Sequence, residues 1–461
     1  WGHDDLDGIT ASAVLRRVLE ELGVRTFHHI PVKGRDKYGL NPEVCQQFGS
    51  QGVRLVLTVD CGITNRTEVA EMKQAGFDVV VTDHHEVTGE LPSALANVNP
   101  KRPDSAYPYR GLAGVGVALK FGMGLMEELR GTSMQQFAEE DPDTCALAVL
   151  GTVGDRVPLT GENRVLVGFG MKCLEKTRLP AVRAVLSRLG DGEKLTVMRM
   201  VKGLLPLFAS ADSTQGVDEI LTQDWDQAHA WVDELHMRAR QWREDAEKSY
   251  DLAEKFLQVT DDIVLVRSEE LSLRALGYCA GRLKEQYRVP ALVMGWRGDA
   301  WVGECRGVEG MSLLDLLGAH ADVLMDYGGH RQAGGFTIGD DAVEEFIDRV
   351  QQYSAGRFAG LLGKEPESEA DAVLHLAELE PRYRQLGPFG EGNPMPVFIS
   401  EPTKVERRVS GLVPVIRSDV VMVQGRADLA LGSDEVRLLY QMDEDGSLIA
   451  VDSARAAGPD A

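Results

Sequence analysis

The stretch DVVVTDHHEVTGELP, at residues 78–92, places an acid and two adjacent histidines directly after a short apolar run. The run VVVT is typical of a buried strand in a parallel sheet. Three ionisable side chains at a strand end are costly unless a metal ion, a substrate phosphate or structural hydrogen bonds compensate for lost water. The rest of the chain has to decide among these three explanations.

Length and composition indicate a globular protein of several domains. The chain has 461 residues, 43% of them hydrophobic, which predicts two or three domains. No apolar run approaches the roughly 20 residues that a membrane span needs, so no membrane association is expected. Because the chain starts at Trp1, two residues before a charged cluster, we expect the natural N-terminus to be missing.

Cysteine usage and charge narrow the class of protein further. Six cysteines are scattered singly with no C-x-x-C pair, which predicts reduced thiols in a cytoplasmic protein and argues against a disulfide frame or a zinc site. The net charge of −23 argues against a protein that coats DNA through an overall basic surface. It leaves room for a nucleic acid held in a local groove through metal ions.

Three segments before residue 83 have the order strand, helix, strand. RLVLTVD (54–60) is an apolar strand ending on an acid, ITNRTEVAEMKQAG (63–76) an amphipathic helix and DVVVT (78–82) the next strand. This βαβ order predicts a parallel α/β sheet, whose ligands bind at the carboxyl ends of the strands. Asp60 and the triplet after DVVVT both fall at those ends.

The remaining pattern predicts further segments along the chain. Residues 191–260 are helical and include a long, charged helix from about 225 to 259, typical of a connector between domains. A second, smaller α/β pattern occupies 261–365. Residues 366–461 combine short alternating stretches, which indicate a small β-module, with a terminal tail. The first domain is therefore predicted to cover residues 1–190.

Four short clusters carry residues able to do chemistry: HDDLDG (3–8), TVDCG (58–62), TDHHE (82–86) and GTVGDRVPL (151–159). Aspartates with two or three histidines suit Mn²⁺ or Mg²⁺ better than zinc, which favours Cys and His. A carboxylate shared by two ions gives a site that can make water nucleophilic and neutralise a phosphate during cleavage.

Each cluster also has a structural explanation. Asp5 or Asp7 could be a helix N-cap, and Asp60 a cap at a strand end. The triplet could be a hydrogen-bonded surface turn, and Asp155 could pair with the adjacent Arg156. All four explanations would have to hold together, so the metal site is the stronger hypothesis.

The order of these motifs resembles that of the DHH phosphoesterase superfamily, and most closely the RecJ-type single-strand-specific exonucleases. The narrower resemblance runs from residue 1 to about 400 and depends on flanking stretches: GRDKYGLN (34–41), NVNPKRPDSAYPYRGLAGVGVALK (97–120), GTVGDRVPLTGENR (151–164), GGHRQAGGF (328–336) and PFGEGNPMPVF (388–398). It implies an α/β fold in which a parallel-sheet DHH domain is joined by a long helix to a smaller α/β DHH-associated domain. A short C-terminal module resembling an oligonucleotide-binding (OB) fold would follow.

The resemblance also implies a role for each polar residue of the four clusters. Two ions, Mn²⁺ or Mg²⁺, would be held by His3, Asp5, Asp7, Asp60, His84 and Asp155. Asp60 would bridge the two ions. His85 would face the scissile phosphate, and Asp83 would orient the histidines.

Substrate contacts are implied further along the chain. Gly328 and Gly329 would let the substrate approach the backbone closely, and His330 would contact a phosphate, although GGH alone is more often a turn. Arg306 and Arg35 would bind phosphates, with surface ion pairs as the alternative for each. A groove between the two domains would admit one strand and exclude a duplex.

Several features depart from the family pattern. His3 stands where the first motif often has Asp, and LPLFASADS (205–213) lacks an expected arginine. Glu304 replaces a serine two positions before Arg306, and its carboxylate would repel a phosphate.

The resulting functional hypothesis is a metal-dependent exonuclease that releases 5′-mononucleotides from single-stranded DNA, 5′ to 3′, in DNA repair or recombination. One alternative is a phosphodiesterase for short oligonucleotides or cyclic dinucleotides. The other is a non-catalytic DHH relative that acts as a binding component of a replication or repair assembly. A single-strand-binding protein and a helicase are the protein partners considered, and a monomer is expected.

Overall fold

The computed structural model describes residues 1–31, 40–188, 195–208, 213–260, 262–308, 310–329, 331–357, 370–376, 381–410, 413–418, 422–425, 436–442 and 448–455. The chain forms two compact units, Trp1–Leu235 with Ser368–Ala461, and His236–Glu367. The predicted boundaries near residues 190, 260 and 365 stay predictions. Within the described part of the chain, every helix is too short or too polar to cross a membrane.

The first unit contains a three-stranded parallel sheet in the order β1 (Leu55–Val59), β2 (Asp78–Thr82), β3 (Ala96–Val98). Helix α3 (Arg66–Gln74) connects the first two strands, so the predicted βαβ unit is confirmed. Val59 pairs with Thr82, and the residues that follow each of them therefore emerge at the same edge of the sheet.

The backbone of Trp1 extends this sheet on the other side of β1. Its N-terminal nitrogen donates a hydrogen bond to the Leu57 carbonyl at 2.7 Å, and the Val59 N–H donates to the Trp1 carbonyl at 2.8 Å. This is the pattern of a parallel neighbour. It brings the first motif to the edge where β1 and β2 end.

Helices surround this sheet. The other helices of Trp1–Leu235 are α1 (Leu6–Glu21), α2 (Pro42–Gly49), α4 (Gly114–Arg130), α5 (Met134–Glu140), α6 (Pro142–Gly154), α7 (Gly161–Leu174), α8 (Pro180–Ser187), α9 (Val197–Phe208) and α10 (Ser213–Leu221). Helices α1, α4 and α6 pack on one another through fully buried small and branched side chains such as Ile9, Ala118 and Leu147. Burial of these faces holds the N-termini of α1 and α4 beside the sheet edge.

Helix α11 (Trp225–Ala253) is the long helix expected near residues 225–259, and it leads into the second unit. The second unit has a six-stranded mixed sheet in the order β4-β5-β6-β7-β9-β8. Its elements are β4 (Leu257–Val259), β5 (Val264–Ser268), α12 (Leu276–Tyr287), β6 (Ala291–Trp296), β7 (Trp301–Arg306), α13 (Leu313–Gly318), β8 (Asp326–Gly329), β9 (Ala333–Ile338) and α14 (Val343–Ser354). The predicted smaller α/β domain is confirmed as a fold class. Apolar clusters lie on both faces of the sheet, one of them beneath α12.

The C-terminal part of the first unit is a seven-stranded sheet in the order β10-β11-β15-β16-β14-β13-β12. The strands are β10 (Ala372–Val373), β11 (Val397–Ile399), β12 (Val405–Ser410), β13 (Val413–Ser418), β14 (Met422–Gly425), β15 (Val436–Met442) and β16 (Leu448–Arg455). Phe398, Leu438 and Tyr440 are buried in its core. A β-module is therefore present, while its assignment as an OB fold stays a prediction.

Candidate metal centre

The site residues come from four places in the first unit and meet at the carboxyl edge of the parallel sheet. Asp60 directly follows β1, and Asp83 directly follows β2. Asp155 ends α6, and the remaining acids lie at the start of α1. The predicted metal ligands thus converge although they are up to 152 residues apart, from His3 to Asp155.

Among the residues that the structure describes, three groups of side chains offer ligand atoms within 4.8 Å of one another. The groups are His3–Asp5–Asp60, Asp60–His84–His85 and Asp7–His84–Asp155. Asp60 belongs to two groups, and so does His84. The structure therefore brings together all six predicted metal ligands and His85.

The donor set at the centre fits a divalent cation. Both carboxylate oxygens of Asp60 and Oδ2 of Asp155 are buried and accept no hydrogen bond from the described residues. His84 Nε2 lies 3.1 Å from Asp60 Oδ1, and His84 Nδ1 lies 3.6 Å from Asp155 Oδ2. Buried carboxylate oxygens without donors are costly, and oxygen ligands with imidazole suit Mn²⁺ or Mg²⁺. These residues fit the ions that the sequence predicts.

Burial and mutual repulsion raise the pKa values of three acids in the cluster. Burial raises the pKa of Asp60 well above its ordinary value, and the carboxylates of Asp7 and Asp5 raise it further. The same causes raise the pKa of Asp155. Burial and the neighbouring Asp5 raise the pKa of Asp7 to about 7. The cluster is therefore arranged for added positive charge.

The N-cap explanation holds for Asp5, whereas Asp7 lies inside α1 and its carboxylate binds backbone N–H groups at the start of α4. Asp5 is the N-cap of α1, and its Oδ1 accepts a hydrogen bond from the Gly8 N–H at 2.8 Å. The Asp7 carboxylate accepts from the Gly114 and Val115 N–H groups, at 2.7 and 2.8 Å, in the first turn of α4. Each carboxylate oxygen has two lone pairs, so capping and metal binding are compatible. The caps fix these acids in place.

Asp83 fixes the turn that carries the two histidines. Its Oδ1 accepts hydrogen bonds from the N–H groups of His84 and His85, at 2.7 and 3.0 Å, and lies 2.8 Å from His85 Nδ1. Oδ2 accepts from the Ile63 N–H at 2.9 Å. Burial alone would raise the pKa of Asp83, but the charge and hydrogen bond of His85 hold it below its usual range. The triplet is a hydrogen-bonded turn, yet Asp83 and His84 are buried and do not form a surface turn.

Two features that position the Asp60 side chain were not predicted from the sequence. Asp60 has φ 59°, in the left-handed region that is unfavourable for a residue with a Cβ, and its N–H is held by the Thr82 carbonyl at 3.0 Å. A Cβ on Gly114 would lie 2.5 Å from both Cβ and Oδ1 of Asp60. Only glycine at position 114 leaves room for the Asp60 side chain. The stretch LAGVG (112–116) contributes to the family resemblance, but nothing local in it indicates this contact.

Asn99 also supports the turn that carries the two histidines. Its side chain is buried, and its Nδ2 donates to the His85 carbonyl at 3.0 Å. The Asp83 N–H donates to the Val98 carbonyl at 3.0 Å, which fixes the same turn from β3. The polar residue after the strand NV is the sequence signal that could have indicated this contact.

Three of the predicted substrate contacts belong to the second unit. Gly328 and Gly329 end β8, and Arg306 ends β7, all in the second unit. Arg306 Nη1 pairs with Glu304 Oε2 at 3.2 Å. Arg35 and His330 lie outside the described residues, and their roles stay predictions.

Mn²⁺ is expected to bind at least about tenfold more tightly at pH 8 than at pH 6. Burial would lower the pKa of His3, but Asp5 raises it to about 9, and the pKa of Asp7 is about 7. Both groups carry protons at pH 6 that a cation must displace, so deprotonation at higher pH favours binding. Titration calorimetry in two buffers of different ionisation enthalpy would measure affinity and proton release. Equal affinities at both pH values would contradict this assignment.

The family model described as "DHH family, N-terminal domain" matches residues 1–152. The single-stranded-DNA-specific exonuclease RecJ of Dickeya dadantii is 30% identical over 441 residues, covering 89% of this chain and 76% of that protein. The RecJ exonuclease of Bacillus subtilis is 27% identical over 424 residues, and the matched region spans 52% of its length.

A solved structure of a RecJ protein has the same fold as this chain. RecJ from Thermus thermophilus in complex with Mn²⁺ matches with a TM-score of 0.79 at 27% identity, covering 99% of this chain and 68% of that chain. The resemblance found in the motifs is thereby confirmed. Because the chain is 30% identical to the Dickeya dadantii protein and covers 76% of it, the chain belongs to the RecJ family.

Proposed function

We propose that the chain is a metal-dependent exonuclease that acts on single-stranded DNA from the 5′ end and releases 5′-mononucleotides. The observation that carries this proposal is Asp60, a buried carboxylate shared by two groups of ligand atoms. Membership of the RecJ family supports the single-stranded substrate. DNA repair or recombination is the proposed context.

Two cations, Mn²⁺ or Mg²⁺, would be held by the six acids and histidines of the cluster. His3, Asp5 and Asp60 would hold one ion, and Asp7, His84 and Asp155 would hold the other, with Asp60 between them. When bound, such ions neutralise a phosphate and make water nucleophilic. The protein contributes a rigid, buried set of ligands, because the caps and the Asp83 turn hold them before substrate arrives.

His85 is the residue proposed to contact the scissile phosphate. Its side chain is 22% exposed, whereas that of the adjacent His84 is 2% exposed. Asp83 Oδ1 lies 2.8 Å from Nδ1 of His85 and occupies that nitrogen, so we assign Nε2 to the phosphate oxygen that gains charge during cleavage. Asp83 acts through His85 and is a positioning residue.

The proposal is tested with single-stranded DNA labelled at either end in separate reactions with Mn²⁺, and with a duplex of the same sequence. We expect mononucleotides from the 5′ end of the single strand and little cleavage of the blunt duplex. Asp60→Ala serves as the control for a contaminating nuclease. Release from the 3′ end, or cleavage of very short oligonucleotides only, would replace this function by the phosphodiesterase alternative. Strand binding without any cleavage would favour the non-catalytic one.

Location and partners belong to the same proposal. All six cysteines are buried free thiols, which is consistent with the reducing cytoplasm. A single-strand-binding protein and a helicase are the proposed protein partners, since both supply or hold single strands. We propose that the enzyme acts as a monomer.

A further inference from the structure

Glu304 and Arg306 form a half-buried ion pair on β7 of the second unit. They are two residues apart on one strand, so both side chains lie on the same face of the sheet. Arg306 Nη1 is 3.2 Å from Glu304 Oε2 and donates to the Cys305 carbonyl at 2.8 Å. The side chains are 30% and 21% exposed, so water screens this pair only in part.

On the same face of the sheet, the positions next to the pair on β9 and β8 are glycines. Glu304 pairs with Gly335 on β9, and Gly335 pairs with Gly328 on β8. A Cβ on Gly328 would meet nothing within 4 Å, and one on Gly335 would approach no atom closer than 3.5 Å. We call these two glycines the glycine strip. A ligand can approach the sheet backbone there, directly beside the two charges.

Helix α12 closes the other side of the pair. A Cβ on Gly277, in its first turn, would lie 2.6 Å from Arg306 Nη2. The N-cap residue of α12 is Ala275, whose side chain cannot accept a hydrogen bond from the N–H groups of the first turn. The positive end of the helix dipole therefore adds to the guanidinium charge. The helix N-terminus and the Arg306 guanidinium both favour a bound anion. In this structure the carboxylate of Glu304 is the anion paired with Arg306.

We propose that Glu304 is a specificity-determining residue that neutralises the anion-binding capacity of Arg306, so the enzyme does not prefer strands with a terminal phosphate monoester. Without Glu304, Arg306 would attract a doubly charged monoester more strongly than a singly charged phosphodiester or a neutral hydroxyl. With Glu304 present, attraction and repulsion nearly cancel for each of these groups. This inference rests on the proposed function, because it assumes a DNA strand as the ligand.

The test measures binding in EDTA, so that no strand is cut. Fluorescence anisotropy compares oligothymidylates that carry a hydroxyl or a phosphate at the 5′ end, and a second set that differs at the 3′ end, each labelled at the opposite end. The wild-type chain is expected to bind the two members of a set within about twofold. Glu304→Gln is expected to bind one phosphorylated strand about tenfold more tightly than its hydroxyl counterpart. Adding Arg306→Gln should remove this gain.

Glu344→Gln is the matched control. Glu344 also pairs with an arginine of the second unit, with 2.6 Å between its Oε1 and Arg267 Nη2, but its side chain is 73% exposed. Its removal changes the net charge equally and should affect both members of a set alike. Equal affinities of Glu304→Gln for paired strands, or no measurable binding by either variant, would overturn the inference.

The binding result is independent of the nuclease assay. Cleavage by the wild-type chain with no new preference in Glu304→Gln would sink this inference and leave the proposed function standing. If Glu304→Gln gained the preference but the wild-type chain cut no strand, this inference would stand and the proposed function would fall.

Discussion

Asp60→Asn is expected to lower the rate of Mn²⁺-dependent cleavage at least about 1000-fold. The amide keeps the shape of the side chain but removes the charge from the carboxylate shared by both ligand groups. Single-turnover cleavage of an end-labelled strand at saturating Mn²⁺ would measure the loss. A variant that keeps more than a tenth of the wild-type rate would contradict the role of Asp60 as shared ligand.

The metal-free stability of the same variant separates a ligand from a structural acid. Asp60 is buried among like charges, so its neutralisation should leave the melting temperature in EDTA unchanged or higher. The rise in melting temperature on adding Mn²⁺ should be lost. Asp143→Asn is the matched control, since Asp143 is also buried but accepts hydrogen bonds from Thr177 and Arg178, at 2.8 and 2.7 Å. It should lose about 1–3 kcal/mol of stability and keep its cleavage rate per folded molecule.

Gly114→Ala is expected to reduce cleavage at least about 100-fold although it adds a single methyl group. That methyl would stand 2.5 Å from Cβ and Oδ1 of Asp60, so either α4 or the Asp60 side chain must move. Because the Asp7 carboxylate accepts from the Gly114 N–H, movement of the helix would disturb a second ligand. The loss should appear as weaker Mn²⁺ binding in calorimetry as well as slower cleavage.

Gly124→Ala in the same helix is the control for this substitution. A Cβ at position 124 would meet nothing within 4 Å, and alanine favours a helix by about 0.8–1 kcal/mol over glycine. We expect full activity and slightly higher stability. If Gly114→Ala bound Mn²⁺ and cut DNA like Gly124→Ala, close packing at Asp60 would have no functional role.

The convergence of the metal ligands could be predicted from the sequence because each step depends on local patterns. Apolar strands that end on Asp60 and Asp83, with one helix between them, specify parallel strands and a common edge. The order of the motifs and their ligand chemistry assign the acids at the start of α1 and at the end of α6 to the same site. Family resemblance supplied the roles of His3 and Asp155 that spacing alone leaves open.

The supports of the site could not be predicted in the same way. The contacts of Asp7 with Gly114 and of Gly114 with Asp60 join residues 107 and 54 positions apart, and no local pattern encodes them. The left-handed backbone of Asp60 is equally hidden, because aspartate is not the residue that such a conformation normally indicates.

In the second unit, sequence reasoning singled out Glu304 and Arg306 but not their geometry. The departure from the family pattern suggested repulsion of a phosphate by Glu304. The structure shows how this repulsion would act, since Glu304 pairs with Arg306 beside the glycine strip. Phosphate binding by Arg306 therefore has to be measured both with and without the Glu304 carboxylate.

The central claim is that Asp60 lies between two cations. Crystals of the chain grown with Mn²⁺ and measured at the manganese absorption edge would test it most directly. We expect two anomalous peaks at the cluster, one beside His3 and Asp5 and one beside Asp7, His84 and Asp155, with Asp60 in contact with both. A single peak, or none within reach of Asp60, would contradict the account.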